Sequence, residues 1–255
     1  MKIQYCSDLH LEFYDNYNYI KSLPLKAVGD ILVVAGDCFY LKNKVMPRNK
    51  LWKWASDNFE QVLLVPGNHE FYGNSDITSH GNSWEWKFRK NVGYYYNKVV
   101  TIGDTNFILS TLWSKIDPKQ KEFVWYYIND FRQIMYNGHR LKPEEYDEEH
   151  TKCLNFIKKA VSESKAKHKV VVTHHAPSRF CVDPDYKDSN LESAFTVDLT
   201  DFIIDSDVDV WIYGHSHTNI NARIGNTRVV CNQLGYVTKG EHLGNGFDFE
   251  SIIEV

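Results

Sequence analysis

Five short apolar stretches of this 255-residue chain each run into residues that bind metals or move protons. Lys2 to Cys6 precedes Asp8 and His10, and Ile31 to Ala35 precedes Asp37. Gln61 to Val65 precedes Asn68 and His69. Lys169 to Thr173 precedes His174 and His175, and Val208 to Tyr213 precedes His215 and His217. Carboxylate, imidazole and amide oxygen together form the donor set of a hard-to-borderline divalent cation. Asp-x-His and His-x-His spacing would set both side chains on one side of an extended segment, whose period is two. Each fragment alone is ordinary: Gly36-Asp37 reads as a turn, and Gly67-Asn68-His69-Glu70 as a turn with a helix N-cap. Their joint occurrence, each after an apolar run, points to one metal-dependent site.

The elements that must position these residues follow from the same pattern. Runs apolar on both faces suit strands covered on both sides, and in open α/β sheets ligands bind beyond the carboxyl ends of such strands. Helical signals lie between them, at Pro47 to Phe59, at Pro143 to Ser164 and, more weakly, at Leu191 to Ile204. The second has proline and acids at its start and lysines at its end, opposing the helix macrodipole at both termini. Gly103-Asp104 and Gly225-Asn226 join apolar segments as two-residue hairpin loops, and Phe247 to Val255 reads as a final strand. The expected organisation is a single domain over 1–255. Residues 114–142 break the strand–helix rhythm and read as a cap-like insertion, anchored by Phe123, Trp125, Tyr126, Tyr127 and Phe131.

Composition narrows the class. Hydrophobic residues make up 43% and charged residues 24%, which is globular rather than disordered. A net charge of -4 argues against a basic surface for long nucleic acid. No apolar run approaches the roughly 20 residues that span a bilayer, and the first residues turn polar too soon for a signal peptide. Five scattered cysteines without a CxxC pair read as reduced thiols, so the expected location is cytoplasmic. The aromatics between Trp84 and Tyr96 read as packing, with stacking on a nucleobase as the alternative.

The motifs Asp8-Leu9-His10, Gly36-Asp37, Gly67-Asn68-His69-Glu70, His174 and Gly214-His215-Ser216-His217 stand in the order found in one family. On these the chain resembles the calcineurin-like metallophosphoesterases. Ser7 to Glu12 and Thr173 to Ser178 resemble an uncharacterised bacterial and fungal branch. That branch often carries Asn-Pro-x-Gly-Tyr near its end, where this chain has Asn232-Gln233-Leu234-Gly235-Tyr236. The resemblance implies a four-layered α/β/β/α sandwich of two mixed sheets. It implies two divalent ions, drawn from Mn, Fe, Zn or Ni. One would take Asp8, His10, Asp37 and His217, and the other Asp37, Asn68, His174 and His215, with Asp37 between them. His69 would face the substrate rather than a metal, and His175, beside the chosen ligand His174, would serve the substrate side.

The implied chemistry is hydrolysis of a phosphoester. Two such ions share a hydroxide, because bound water drops to a pKa of about 7. Asp37 and His69 are the catalytic candidates, His69 as acid to the leaving oxygen. Asn129, Asp130, Arg132, His175 and Arg179 are the candidates for substrate contact, the arginines as bidentate phosphate ligands. The expected partner is a small phosphorylated substrate, nucleotides among them, with neither membrane nor long nucleic acid. The alternatives are a cyclic-nucleotide phosphodiesterase or nuclease and, from another class, a non-catalytic metal-binding scaffold.

Overall fold

The computed structural model describes residues 1–183 and 186–255. In the first half the strands are β1 (Lys2–Cys6), β2 (Ile31–Ala35), β3 (Gln61–Val65), β4 (Trp84–Arg89), β5 (Val92–Tyr96), β6 (Lys98–Ile102) and β7 (Thr105–Leu109). The rest are β8 (Met135–Tyr136), β9 (His139–Arg140), β10 (His168–Val172), β11 (Val210–Tyr213), β12 (Ala222–Ile224), β13 (Thr227–Cys231) and β14 (Ile252–Glu254). The α-helices are α1 (Tyr14–Ser22), α2 (Lys50–Asn58), α3 (Lys121–Tyr127), α4 (Asp130–Gln133), α5 (Pro143–Glu163), α6 (Glu192–Phe195) and α7 (Thr200–Asp205).

Two six-stranded mixed sheets carry the fold. The first runs β14-β1-β2-β3-β5-β4 and the second β12-β13-β11-β10-β7-β6. Each has four parallel strands at its centre and an antiparallel strand on either edge. The period of two divides each central strand between two cores. In β2, Ile31, Val33 and Ala35 join Val170, Val172 and Ile212 of the second sheet in the core between the sheets. Leu32 and Val34 point the other way, onto Ile20 of α1 and Trp52 and Ala55 of α2. Val171 and Trp211 likewise face outward, onto Ile157 and Val161 of α5 and Ile203 of α7. The layers are therefore α/β/β/α. Burying one such aliphatic side chain is worth about 1.5–3 kcal/mol, so a strand shifted by one residue would forfeit a whole row.

Both hairpins and the long helix form as the sequence reads. The Leu191 to Ile204 segment instead breaks into α6 and α7, because Thr196 bridges to Ala176 and Val197 N donates to Ala176 O at 3.1 Å. The turn at Met46–Arg48 is a separate 3₁₀ turn; Asn49 then caps α2 through Leu51 N at 3.0 Å. The final strand is confined to β14.

The Trp84–Tyr96 aromatics are packing. Trp84 lies parallel to Tyr96 at 5.7 Å and Trp86 parallel to Tyr94 at 6.2 Å, as cross-strand pairs of β4 and β5. Residues 114–142 hold α3, α4 and the β8–β9 ribbon. Their anchors differ from the sequence reading: Val124, Phe131, Ile134 and Leu141 are buried against Phe71, Trp113 and Tyr146, whereas Phe123, Trp125, Tyr126 and Tyr127 are exposed. A helix of two turns presents few positions to the core, and in α3 Val124 takes that place. Among the described residues, no helix is long and apolar enough to cross a membrane.

Candidate metal centre

The loops after β1, β2, β3, β10 and β11 converge on one edge, where both sheets end. Their backbone is not extended there. Asp8, His10, Asp37, His215 and His217 have φ of 54°, 46°, 52°, 78° and 55°. The one-sided strand geometry expected for Asp-x-His and His-x-His is thus replaced by left-handed turns. Non-glycine residues in that region cost of order 1–3 kcal/mol each and persist only where their surroundings over-determine them. Hydrogen bonds do so here: Asp8 N donates to Gly36 O at 3.0 Å, and His10 N to Asp37 O at 2.9 Å. Gly36 has φ of 90°, and a Cβ on it would collide with the His174 ring. A Cβ on Gly67 would collide with the Asp37 carboxylate.

Two clusters of bare donor atoms result. In the first, His10 Nε2 lies 3.0 Å from His217 Nε2, and His217 Nε2 lies 3.4 Å from Asp8 Oδ1. In the second, His174 Nε2 lies 3.0 Å from Asn68 Oδ1, 3.1 Å from His215 Nδ1 and 3.3 Å from Asp37 Oδ1. Asp37 reaches the first cluster through its other oxygen, with Oδ2 3.8 Å from His10 Nε2.

These residues fit divalent cations. The far nitrogen of three imidazoles is already engaged: His10 Nδ1 with Glu12 at 3.2 Å, His217 Nδ1 with Glu241 at 2.7 Å, and His174 Nδ1 with Ala35 O at 2.9 Å. Such partners fix ring orientation and tautomer, leaving the inward nitrogen free to coordinate. Asn68 is fixed in the same way, since its Nδ2 donates to Asp130 at 2.8 Å and Oδ1 must then face His174. The cluster histidines divide: burial lowers His10 and His215, whereas carboxylates raise His174 and His217. Burial opposes charge on His174, yet the Asp37 and Asp8 carboxylates raise it to about 10. Burial likewise opposes His217, which Asp8 and Glu241 raise to about 9. Burial would push Asp37 up, but His174, His69 and His10 outweigh it and hold its carboxyl well below the usual range.

His69 lies at the edge of the first cluster. Its Nδ1 meets Glu12 at 2.8 Å, and its Nε2 is 3.2 Å from Tyr236 Oη and 3.9 Å from Asp37 Oδ2. Burial lowers its proton affinity, but Asp37 and Glu12 leave it raised overall. Glu12 and Tyr236 fall within the branch motifs Ser7 to Glu12 and Asn232 to Tyr236, but the sequence reading gives neither a role at the site. Glu70 accepts from the N–H groups of Gly67, Cys38 and Asp37 at 2.7, 2.7 and 3.0 Å, tying the loop after β3 to that after β2. Burial and the Asp37 charge push its carboxyl up to about 7.

The substrate candidates divide. Asn129 and Asp130 line a cavity of about 440 Å³ that opens from Asp37, Asn68, His69, His215 and His217. His175 does not line it; it is buried beside His215, ring centres 4.1 Å apart, with Nε2 on Tyr146 Oη at 2.9 Å. Arg132 is exposed, donates to the Tyr126 carbonyl and lies over the Tyr126 ring. Arg179 is bound to Glu192 at 2.7 Å and Asp188 at 2.8 Å. Neither arginine turns toward the cavity, because nearer acceptors hold both.

Two facing mixed sheets with a paired Asp, Asn and His cluster at one edge define a metallophosphatase fold. The chain matches the calcineurin-like phosphoesterase family over residues 1–219, and it belongs to that family of metal-dependent phosphoesterases. An uncharacterised protein of Acanthamoeba polyphaga mimivirus is 27% identical over 278 aligned positions, covering 99% of this chain and 96% of the viral protein. Among solved structures, a phosphopantetheinyl hydrolase from Mycobacterium tuberculosis superposes with a TM-score of 0.65 at 17% identity, over 100% of this chain and 95% of the other. A dimetal phosphatase from Danio rerio gives 0.42 at 12% identity, over 91% and 86%. At 17% identity the superposition on the mycobacterial hydrolase speaks to fold alone.

Proposed function

We propose that the site holds two divalent ions and hydrolyses a small phosphoester. Asp8, His10, Asp37 and His217 would hold one ion, and Asp37, Asn68, His174 and His215 the other. The observation that carries this reading is Asp37 itself, whose Oδ1 faces His174 and whose Oδ2 faces His10. When bound, the ions supply an activated water and neutralise phosphate oxygens. Asp37 keeps both clusters in one register and carries the charge they share. His69, with its Nδ1 proton given to Glu12, presents Nε2 at the cavity edge, where it donates a proton to the leaving oxygen. Asp130 and Asn129 form part of the cavity wall, and the 114–142 segment serves as a cap on a single domain over 1–255. His175, Arg132 and Arg179 are left out of substrate contact. The five buried, unpaired cysteines support a reducing, cytoplasmic setting. The test is a panel of mono- and diesters assayed with Mn, Fe, Zn and Ni in turn. Turnover restored to metal-stripped protein by one of these ions is expected, and no turnover with any of them would contradict the reading.

A further inference from the structure

This inference rests on the phosphoesterase reading and concerns the body that the ester carries. A cavity of about 440 Å³ lies within the roughly 300–1,000 Å³ of pockets that enclose a whole small ligand, so it takes more than a phosphate. Aromatic rings stand in its walls and mouth. Phe195 lies over His215 with ring centres 4.9 Å apart, Tyr236 stacks on His10 at 4.6 Å, and Phe13, Tyr127 and Tyr186 line the opening with much of their surface exposed. Exposed rings of this kind offer flat faces for a planar group.

The charges are as informative. Among the described lining residues, Lys239 is the one lysine or arginine, and its Nζ lies 4.6 Å from the centre of the Tyr236 ring. Asp130, Asp183, Glu192 and Glu241 line the same space. Arg179 and Arg132, the arginines suited by sequence to clamp a phosphate, are held by Glu192 and Asp188 and by Tyr126. A phosphate seated away from the metal clusters would therefore meet carboxylates, rings and neutral amides or hydroxyls, with Lys239 as the one lysine or arginine and no guanidinium among the described lining residues to clamp it through two bonds. In a half-enclosed cavity an unpaired dianion is costly.

The geometry points to a cavity that selects esters with a single phosphate on a flat, uncharged body, and that discriminates against the same body carrying a second phosphate. The test pair is adenosine 5′-monophosphate and adenosine 3′,5′-bisphosphate, titrated calorimetrically into the metal-loaded protein. The bisphosphate is expected to bind at least about 10-fold more weakly, the effect of one missing charged hydrogen bond. Gln133→Arg, which adds a guanidinium to the cavity wall, should narrow that ratio. Equal or tighter binding of the bisphosphate, binding of neither, or a ratio untouched by Gln133→Arg overturns the inference. Hydrolysis of p-nitrophenyl phosphate and thymidine 5′-p-nitrophenyl phosphate by the same preparation tests the parent reading separately. Without turnover the parent reading fails, while the binding ratio still decides this one.

Discussion

Asn68 and Asp130 stand 62 positions apart in the chain, yet the Asn68 amide donates to the Asp130 carboxylate at 2.8 Å inside the buried site. Tyr72 donates to the same oxygen at 2.6 Å. Burial raises the Asp130 carboxyl against the pull of these two donors. Asp130 of the 114–142 segment thus sets the orientation of a candidate ligand as well as lining the cavity.

Asp130→Ala should therefore loosen one ion selectively. The affinity of the ion assigned to Asn68, His174 and His215 is expected to fall about 10–100-fold, the usual effect of losing a ligand's supporting partner. The ion assigned to Asp8, His10 and His217 should hold. Stepwise metal titration by calorimetry reads both. Equal weakening of the two, or of neither, would contradict the link.

Glu12 is the partner of two histidines at once, at 3.2 Å from His10 Nδ1 and 2.8 Å from His69 Nδ1. Burial would raise its carboxyl, but hydrogen bonds from both rings leave it lowered. Glu12→Gln removes the charge while keeping the shape. The expected outcome is about 10–100-fold weaker metal binding at the His10 cluster together with slower turnover of esters with poor leaving groups. Normal metal content and normal rates on such esters would show that Glu12 serves packing alone.

His69→Ala should keep its metals and lose roughly 10²–10⁴ in kcat on an ester with a poor leaving group, the usual worth of a positioned acid. The loss should shrink for p-nitrophenolate, which needs little protonation. Parallel kinetics on alkyl and p-nitrophenyl esters separate the cases, and an equal loss on both would assign His69 to phosphate positioning.

Much of the candidate metal centre was legible because its residues directly follow strands, and the strands are marked by continuous apolar runs. The central strands were legible for the same reason, whereas their division into two sheets followed only from the family resemblance, and α5 was marked by its proline and acids at the start and lysines at the end. What could not be read depends on partners distant in sequence. Arg179 turns away because Glu192 of α6 lies beside it, and nothing near Arg179 in sequence marks that contact. The exposed aromatics of α3 resemble core residues by type alone. Helix α1 leaves little trace in the sequence, because it buries only Ile20 and Asn16, too narrow a stripe to stand out. The left-handed turns at Asp8, His10, Asp37, His215 and His217 contradict local preference, as strained functional sites do.

The central claim is that Asp37 is shared by two metal ions, and metal stoichiometry tests it most directly. Elemental analysis of the purified, metal-loaded protein should give two divalent ions per chain. Asp37→Ala should retain neither tightly, while His217→Ala should retain one. Two tightly bound ions in Asp37→Ala would contradict the account.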